Sequence, residues 1–268
     1  MKVVILAGGV GSRLSEETVV KPKPMVEIGN MPILWHIMMH YSHYGYSEFV
    51  IALGYKGEYV KKWFADFAAY SGNMHLDLGR GTIEVENPHA LDWKVKLVDT
   101  GLHTNTAGRI KRLRPYLDGT FFMTFGDSVS TVNIPELLRF HKGHDKLATL
   151  TAVHPPPRFG QLVLEGDRVA DFSEKPLDTA WINGGFAVLE PEICDEYIEG
   201  DASDLAETWE RLSMAGELMA FKHEGFFQPM DAQRDKVYLE KLWDGGRAPW
   251  KIWDEHARSL DGKVFGQV

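Results

Sequence analysis

The sequence predicts an α/β fold: a Rossmann-like, mostly parallel sheet flanked by helices, with a second half of mixed α+β character. Three observations carry this. The chain opens on a β-branched run, residues 2–7 (KVVILA), that stops at Gly8-Gly9, the pattern of a buried strand feeding a tight turn. Strand-like and helix-like segments then alternate through residue 153, at the lengths that right-handed βαβ crossovers need. After Pro155-Pro156-Pro157 that regular alternation ends.

In the first half, Ile33, Leu34, Ile37, Met38 and Tyr41 recur at helical spacing behind Pro32, a good first-turn residue. Residues 48–53 read as the second strand, 58–69 as a helix and 94–99 as the third strand. A helical stretch over 109–116 precedes the fourth strand, 120–125; the helix 134–144 precedes the fifth, 147–153. In the second half, 161–164 and 168–172 form a hairpin through Glu165-Gly166-Asp167. Residues 181–189 and 218–221 are strands, and 191–198, 205–216 and 232–243 are helices. The segment 71–89 lacks periodicity and reads as an excursion or loop. No Gly/Ser-rich linker or internal repeat divides the chain, so one domain is expected over 1–246, with halves 1–154 and 155–246, followed by a tail, 247–268.

Composition excludes several classes of function. Hydrophobic residues at 44% and charged residues at 25% of the 268 suit a packed globular core and argue against disorder. A net charge of −9 opposes general nucleic-acid binding, which needs clustered cations on a phosphate backbone. The single cysteine, Cys194, excludes an internal disulfide framework and a multi-cysteine zinc site; it sits in a helix with no activating cation beside it. No run is long enough for a membrane span, and the apolar start is cut too soon by glycine to be a secretory signal, so a cytoplasmic location is expected.

The most informative stretch is Leu6-Ala7-Gly8-Gly9-Val10-Gly11-Ser12-Arg13-Leu14, continuing to Lys21-Pro22-Lys23-Pro24-Met25. A glycine-rich turn at the carboxyl end of the first strand of a parallel sheet lies where such sheets bind ligands. Bare backbone N–H groups can cradle phosphate oxygens there, and Ser12 and Arg13 add donors and charge. Three glycines alone describe an ordinary strand-to-helix turn equally well; the proline-stiffened lysines shift the balance toward a polyphosphate. A dinucleotide site would need a glycine where Leu14 stands and an acid ending the second strand, which here runs Ala52-Leu53-Gly54-Tyr55. The Gly-Lys-Ser/Thr of a P-loop is absent.

Gly-Gly-x-Gly-Ser/Thr-Arg-Leu followed by Lys-Pro-Lys-Pro-Met resembles the signature of the nucleotidyltransferases that make nucleotide sugars from a nucleoside triphosphate and a sugar 1-phosphate. The likeness extends through Arg158-Phe159-Gly160, Glu174-Lys175-Pro176, Asn183-Gly184-Gly185 and Gln228-Pro229-Met230-Asp231, and is closest to the branch that joins CTP to glucose 1-phosphate. It implies the nucleotidyltransferase fold of the glycosyltransferase-A type, Mg²⁺ as cofactor, CTP and a sugar 1-phosphate as substrates, and a homo-oligomer, trimer-based or hexameric. It implies a role in nucleotide-sugar and polysaccharide biosynthesis, with 1–154 binding the nucleotide and 155–246 the sugar phosphate.

The resemblance also implies roles for residues. Arg13 would hold the leaving phosphates and Lys23 the α-phosphate, as the catalytic pair, with Lys21 a solvated helper. Leu6, Ala7, Gly8, Gly9, Gly11, Ser12 and Arg109 would complete the nucleotide site, the backbone at Leu6, Ala7 and Gly8 reading the base edge. Asp127 and Asp231 would hold the metal, since one or two carboxylates plus substrate phosphates is how proteins bind Mg²⁺. Glu174, Lys175, Asn183 and Gly184 would bind the sugar phosphate. Read without the family, a lone aspartate after a strand is a helix cap, Glu-Lys-Pro a surface turn, and Arg109 a surface helix charge.

Two departures from the family pattern bear on the acceptor. Ser128 stands where a glycine commonly follows the metal aspartate, and the stretch around Glu207 has lost its flanking proline. Transfer to a different phosphate acceptor is therefore a second reading; a non-catalytic nucleotide-sugar sensor is a third, opposed by retention of Arg13, Lys23, Asp127 and Asp231. His36 and His40, four apart on one helix, could ligate a metal, but the apolar residues around them favour packing. Trp243, Trp250 and Trp253 suit either a contact patch or an anchor on the core.

Overall fold

The computed structural model describes residues 1–9, 11, 15–70, 72–86, 91–156, 161–173 and 180–253. Its elements are β1 (Lys2–Leu6), α1 (Ser15–Thr18), β2 (Glu27–Ile28), β3 (Met31–Pro32), α2 (Ile33–His43), β4 (Glu48–Leu53) and α3 (Gly57–Tyr70). Next come β5 (Asn73–Asp77), β6 (Thr82–Glu86), β7 (Lys94–Asp99), α4 (Thr106–Leu113), β8 (Phe121–Phe125), β9 (Ser128–Ser130), α5 (Ile134–Lys142) and β10 (Ala148–Val153). The rest are β11 (Gln161–Glu165), β12 (Arg168–Ser173), β13 (Ile182–Leu189), α6 (Glu192–Glu196), α7 (Leu205–Met214), β14 (Leu218–Lys222), β15 (Phe227–Pro229) and α8 (Gln233–Asp244).

Seven strands form the central sheet in the order β14-β10-β13-β8-β1-β4-β7. β1 pairs in parallel with both β4 and β8, β7 extends that run, and β14 is parallel to β10. Only β13, antiparallel to β8 and β10, breaks the pattern, so the expected mostly parallel α/β sheet is what forms. Helices cover both faces, which is why the central strands read as continuous apolar runs. Val3 and Ile5 of β1 face a core built on α2, while Val4 and Leu6 face a second core built on α4, α6 and α7.

α2 is buried from Ile33 to Tyr41 because its outer side is covered as well. Trp35 meets Trp253 edge to face, and Trp243 and Trp250 close around His36. The expected tail, 247–268, therefore begins with core residues: Trp250 is 0% and Trp253 5% exposed. Residues 254–268 lie outside the described part.

The expected loop 71–89 contains a hairpin instead, β5 paired with β6. Its alternation of Met74 and Leu76 with Ile83 and Val85 was the available signal. It is weak because no face of β6 is buried, so no core enforces it. The two-residue pair β2–β3 and the three-residue pair β9–β15 are likewise too short to show a period.

Candidate active site

The loops after β1, β7 and β8 end together at the carboxyl edge of the sheet, where open α/β sheets take ligands. There they line a cavity of about 690 Å³ that includes Leu6, Ala7, Gly8, Gly9, Gly11, Lys23, Arg109, Asp127 and Asp231. A second cavity, about 480 Å³, is lined by Ser128, Pro155, Asn183, Gly184 and Phe227. The two share one wall: Phe125, Asp127 and Asp231 border both. The fold thus gathers the expected residues into two adjoining spaces that meet at a carboxylate pair. Ser12, Arg13, Glu174 and Lys175, with Arg158-Phe159-Gly160, fall outside the described residues.

Asp127 follows β8 at the sheet edge, and Asp231 follows β15. The β9–β15 ladder pairs Ser128 with Pro229, and the Met230 N–H donates to the Asp127 carbonyl at 2.9 Å, which fixes the two aspartates side by side. The Asp231 N–H is itself held by the Asp235 carboxylate at 3.0 Å. Between them sits the Lys23 ammonium, 2.6 Å from Asp127 Oδ2 and 2.7 Å from Asp231 Oδ1. Burial works against that ammonium, but the two carboxylates outweigh it and hold Lys23 above the usual lysine range. Two hard oxygen donors facing one gap suit a divalent cation such as Mg²⁺. Among the described residues there is no cluster of three or more His, Cys, Asp or Glu side chains placed to hold a metal, so the shell would be completed by substrate phosphates and water.

The three glycines of the loop do three different things. A Cβ on Gly8 would stand 2.4 Å from Arg109 Nη1, so its bareness makes room for that guanidinium. At Gly9 no described atom lies within 4 Å of a would-be Cβ, and the backbone faces open space. Gly11 has φ +65° and would press a Cβ to 3.0 Å from Lys23 Cβ, so it both turns the chain and clears the lysine stem.

Arg109 is not a surface charge on its helix; it is 5% exposed. Nη1 donates to the carbonyls of Leu53 (3.1 Å) and Gly101 (2.7 Å) and to Thr100 Oγ1 (2.7 Å). Nη2 donates to the Gly8 carbonyl at 3.1 Å and to Leu102 at 3.4 Å. The guanidinium therefore ties the loops after β1, β4 and β7 together. The Gly8 carbonyl also accepts from the Tyr55 N–H at 3.1 Å, which occupies both its lone pairs. At Gly8 that leaves the N–H as the backbone group open to a ligand. The Leu6 carbonyl likewise accepts from the Gly126 N–H at 3.0 Å.

In the second cavity, Asn183 is set by a bulge. β13 pairs Ala187 with Leu150 but Asn183 with Ala152, so extra residues of β13 oppose one of β10 and re-aim the chain. Asn183 Oδ1 accepts from the Gly185 N–H at 2.9 Å. Gly184 lines this cavity and is packed closely from behind: a Cβ there would meet Val153 Cγ1 at 2.7 Å. Ser128 lines this cavity with a φ outside the left-handed region, so it costs no backbone strain. Glu207 departs from expectation. It is exposed on the first turn of α7, lines neither cavity, and lies in a helix whose capping Asp204 bonds Thr106 beside the first cavity.

Lys21, expected to be solvated, is paired with Glu27 at 3.4 Å and Glu17 at 3.8 Å. His36 and His40 do pack. His36 Nε2 bonds the Ile28 carbonyl while Trp250 Nε1 donates to Nδ1, and His40 Nε2 bonds the Val132 carbonyl. Burial lowers both to about 4, so they are neutral near pH 7. Burial pushes the Cys194 thiol up to about 12, which leaves it inert. The residues the sequence reading missed are Leu102, His103, Thr104 and Asn105, which wall the first cavity. Their signal was position alone: they follow the carboxyl end of a parallel strand.

A model of the nucleotidyl transferase family matches residues 2–230. The glucose-1-phosphate cytidylyltransferases of Salmonella typhi and Salmonella typhimurium are each 51% identical over 262 residues, covering 95% of this chain and 100% of theirs. Among solved structures, HddC from Yersinia pseudotuberculosis superposes with a TM-score of 0.63 at 23% identity, over 90% of this chain and 99% of that one, a likeness of fold.

Proposed function

The chain belongs to the nucleotidyl transferase family and, within it, to the glucose-1-phosphate cytidylyltransferases; from that premise we propose that it joins CTP to α-D-glucose 1-phosphate, giving CDP-glucose and pyrophosphate. The observation that carries this is the pair of cavities meeting at Asp127 and Asp231: one space for each anionic substrate, with the reacting phosphates brought to the shared wall. Nucleotidyl transfer depends mainly on positioning and charge neutralisation, and this arrangement supplies both.

In this reading a phosphate oxygen of glucose 1-phosphate attacks the α-phosphorus of CTP in line, and pyrophosphate leaves. The N–H groups of Gly8, Gly9 and Gly11 cradle the triphosphate, and Lys23 and Arg13 neutralise it at the α-phosphate and at the leaving group. Asn183, Glu174 and Lys175 orient the sugar phosphate. Members of this family generally use Mg²⁺, and Asp127 and Asp231 are the residues that would hold it. When bound, the ion would draw off negative charge from the phosphates. Arg109 acts behind the site, holding the loop that carries Gly8. We also infer a cytoplasmic homo-oligomer; the exposed apolar side chains of the β5–β6 hairpin, Leu76, Leu78 and Ile83, support a contact between copies, and light scattering on the eluted protein tests it.

The test is pyrophosphate release with Mg²⁺ for CTP, UTP, dTTP and ATP, each with and without glucose 1-phosphate. Release confined to CTP with glucose 1-phosphate is expected. Ser128 in the second cavity favours one specific alternative, a different phosphate acceptor. CTP binding without release would overturn the acceptor and lead to a screen of other sugar phosphates.

A further inference from the structure

The Lys23 ammonium stands where a divalent cation held by Asp127 and Asp231 would stand. At 2.6 and 2.7 Å it makes short charge-assisted hydrogen bonds to one oxygen of each carboxylate. A second positive centre cannot share that gap, because like charges a few ångströms apart in a part-buried site repel strongly. Occupation by the ammonium and by a metal are therefore mutually exclusive. The backbones that carry the carboxylates are tied, by Met230 to Asp127 and by Asp231 to Asp235, so relief is left to the side chains. The lysine can move. Its head group can turn toward the glycine loop on a flexible four-carbon stem, and Gly11 crowds that stem with no side chain: a Cβ there would stand 3.0 Å from Lys23 Cβ and 3.6 Å from Cδ. Its backbone stays in place, set in the turn Lys23–Met25 between Pro22 and Pro24.

We propose that Lys23 is a displaceable placeholder for the divalent cation: its ammonium neutralises the carboxylate pair of the free protein and yields that place only when a polyphosphate gives it a new partner. Metal binding and nucleotide binding are then one coupled event. The free protein takes up a divalent ion poorly, both because the place is filled and because two carboxylates alone leave most of an octahedral shell to be found elsewhere. A nucleotide removes both obstacles together. The device keeps a bare metal from occupying the site without the substrate that completes it.

This inference rests on reading Asp127 and Asp231 as the cation's ligands, and the experiment separates the two. Mn²⁺ binding to the free protein is measured by electron paramagnetic resonance, without nucleotide, for wild type, Lys23→Met and Lys23→Met combined with Asp127→Asn. The expected result is Mn²⁺ affinity at least ten-fold higher in Lys23→Met than in wild type, and lost again when Asp127→Asn is added. Equal affinity in wild type and Lys23→Met, including no binding by either, overturns the placeholder role alone. Mn²⁺ binding that Asp127→Asn leaves untouched, with or without CTP, overturns the metal assignment itself. Circular dichroism checks folding, and Lys23→Gln, which keeps a polar head group, repeats the comparison if the methionine variant unfolds.

Discussion

The two cavities meet at one carboxylate pair but are built differently. In the proposed reading the nucleotide side rests on the parallel strands β1, β4, β7 and β8, and its loops are laced together by a buried Arg109 whose charge is permanent at any physiological pH. The acceptor side rests on a bulge in β13 and a three-residue ladder, β9–β15, and is backed by two neutral buried histidines. The difference teaches a division of labour. Transfer between anions needs donors that do not move when charge develops, so the triphosphate side is over-braced. The side that selects the acceptor is thinner, and a changed side chain such as Ser128 fits there without strain.

The largest effect is expected at the wall the two sides share. Asp127→Asn or Asp231→Asn should lower the rate of pyrophosphate release by about two to three orders of magnitude, the scale of losing one charge-stabilising group. Activity within a few-fold of normal would mean that the cavities do not meet at the reaction centre.

The pH dependence sharpens the comparison from the acceptor side. His36 and His40 have values near 4 in the folded protein and about 6.5 when unfolded, because burial disfavours their charged forms. Lys251 adds to that effect at His36, and His43 and His223 add to it at His40. Above pH 6.5 both states are neutral. Below it the unfolded chain takes up protons that the folded one refuses, so stability falls from pH 6.5 down to about 4, by on the order of 3 kcal/mol per histidine. Urea unfolding across that range should show the fall, reduced in His40→Gln. Amide exchange should show β9 and α2 loosening before the Arg109-braced loops.

On the nucleotide side, Gly8→Ala must displace the guanidinium and Arg109→Met leaves the Gly8, Leu53 and Gly101 carbonyls short of a donor; each should cost about 2–4 kcal/mol in thermal or urea unfolding. Gly9→Ala, which meets no described atom within 4 Å, should stay within about 0.5 kcal/mol. Equal effects at Gly8 and Gly9 would break the claim that Arg109 braces this loop.

The smallest effect belongs to the acceptor wall. Ser128→Gly should leave KM for CTP unchanged and shift kcat/KM for the sugar phosphate by less than about ten-fold, the scale of one hydrogen bond or a small change in pocket volume. A change in the CTP constant instead would place Ser128 on the wrong side of the shared wall.

Much of this was legible before folding. Residues 94–99 needed no correction, because their alternation of lysine with valine and leucine suits an edge strand, and 48–53 needed none because a strand buried on both faces writes itself as a nearly unbroken apolar run. The β5–β6 hairpin did not, because alternation without a buried face has nothing to distinguish it from chance. Lys23, Asp127 and Asp231 were each nameable as candidates through the family resemblance, since read alone an aspartate after a strand is a helix cap. Thr104 and Asn105 were not nameable, because a polar loop residue looks the same whether or not it walls a cavity.

The amino-acid sequence by itself determined the α/β class, the glycine turn at the end of the first strand and the chemical character of the loop there: bare backbone and cations. These are local or periodic properties, set by side-chain size, charge and spacing. Only the tertiary structure decided how they combine. It turned Arg109 inward onto three loops, so that Gly8 serves an arginine before any ligand. It put Trp250 and Trp253 over α2, where a tail was expected. It laid Lys23 between Asp127 and Asp231 through a strand pair too short to leave a pattern. Contacts between residues a hundred or more positions apart depend on register and packing across the whole sheet, and no local window of sequence contains that information.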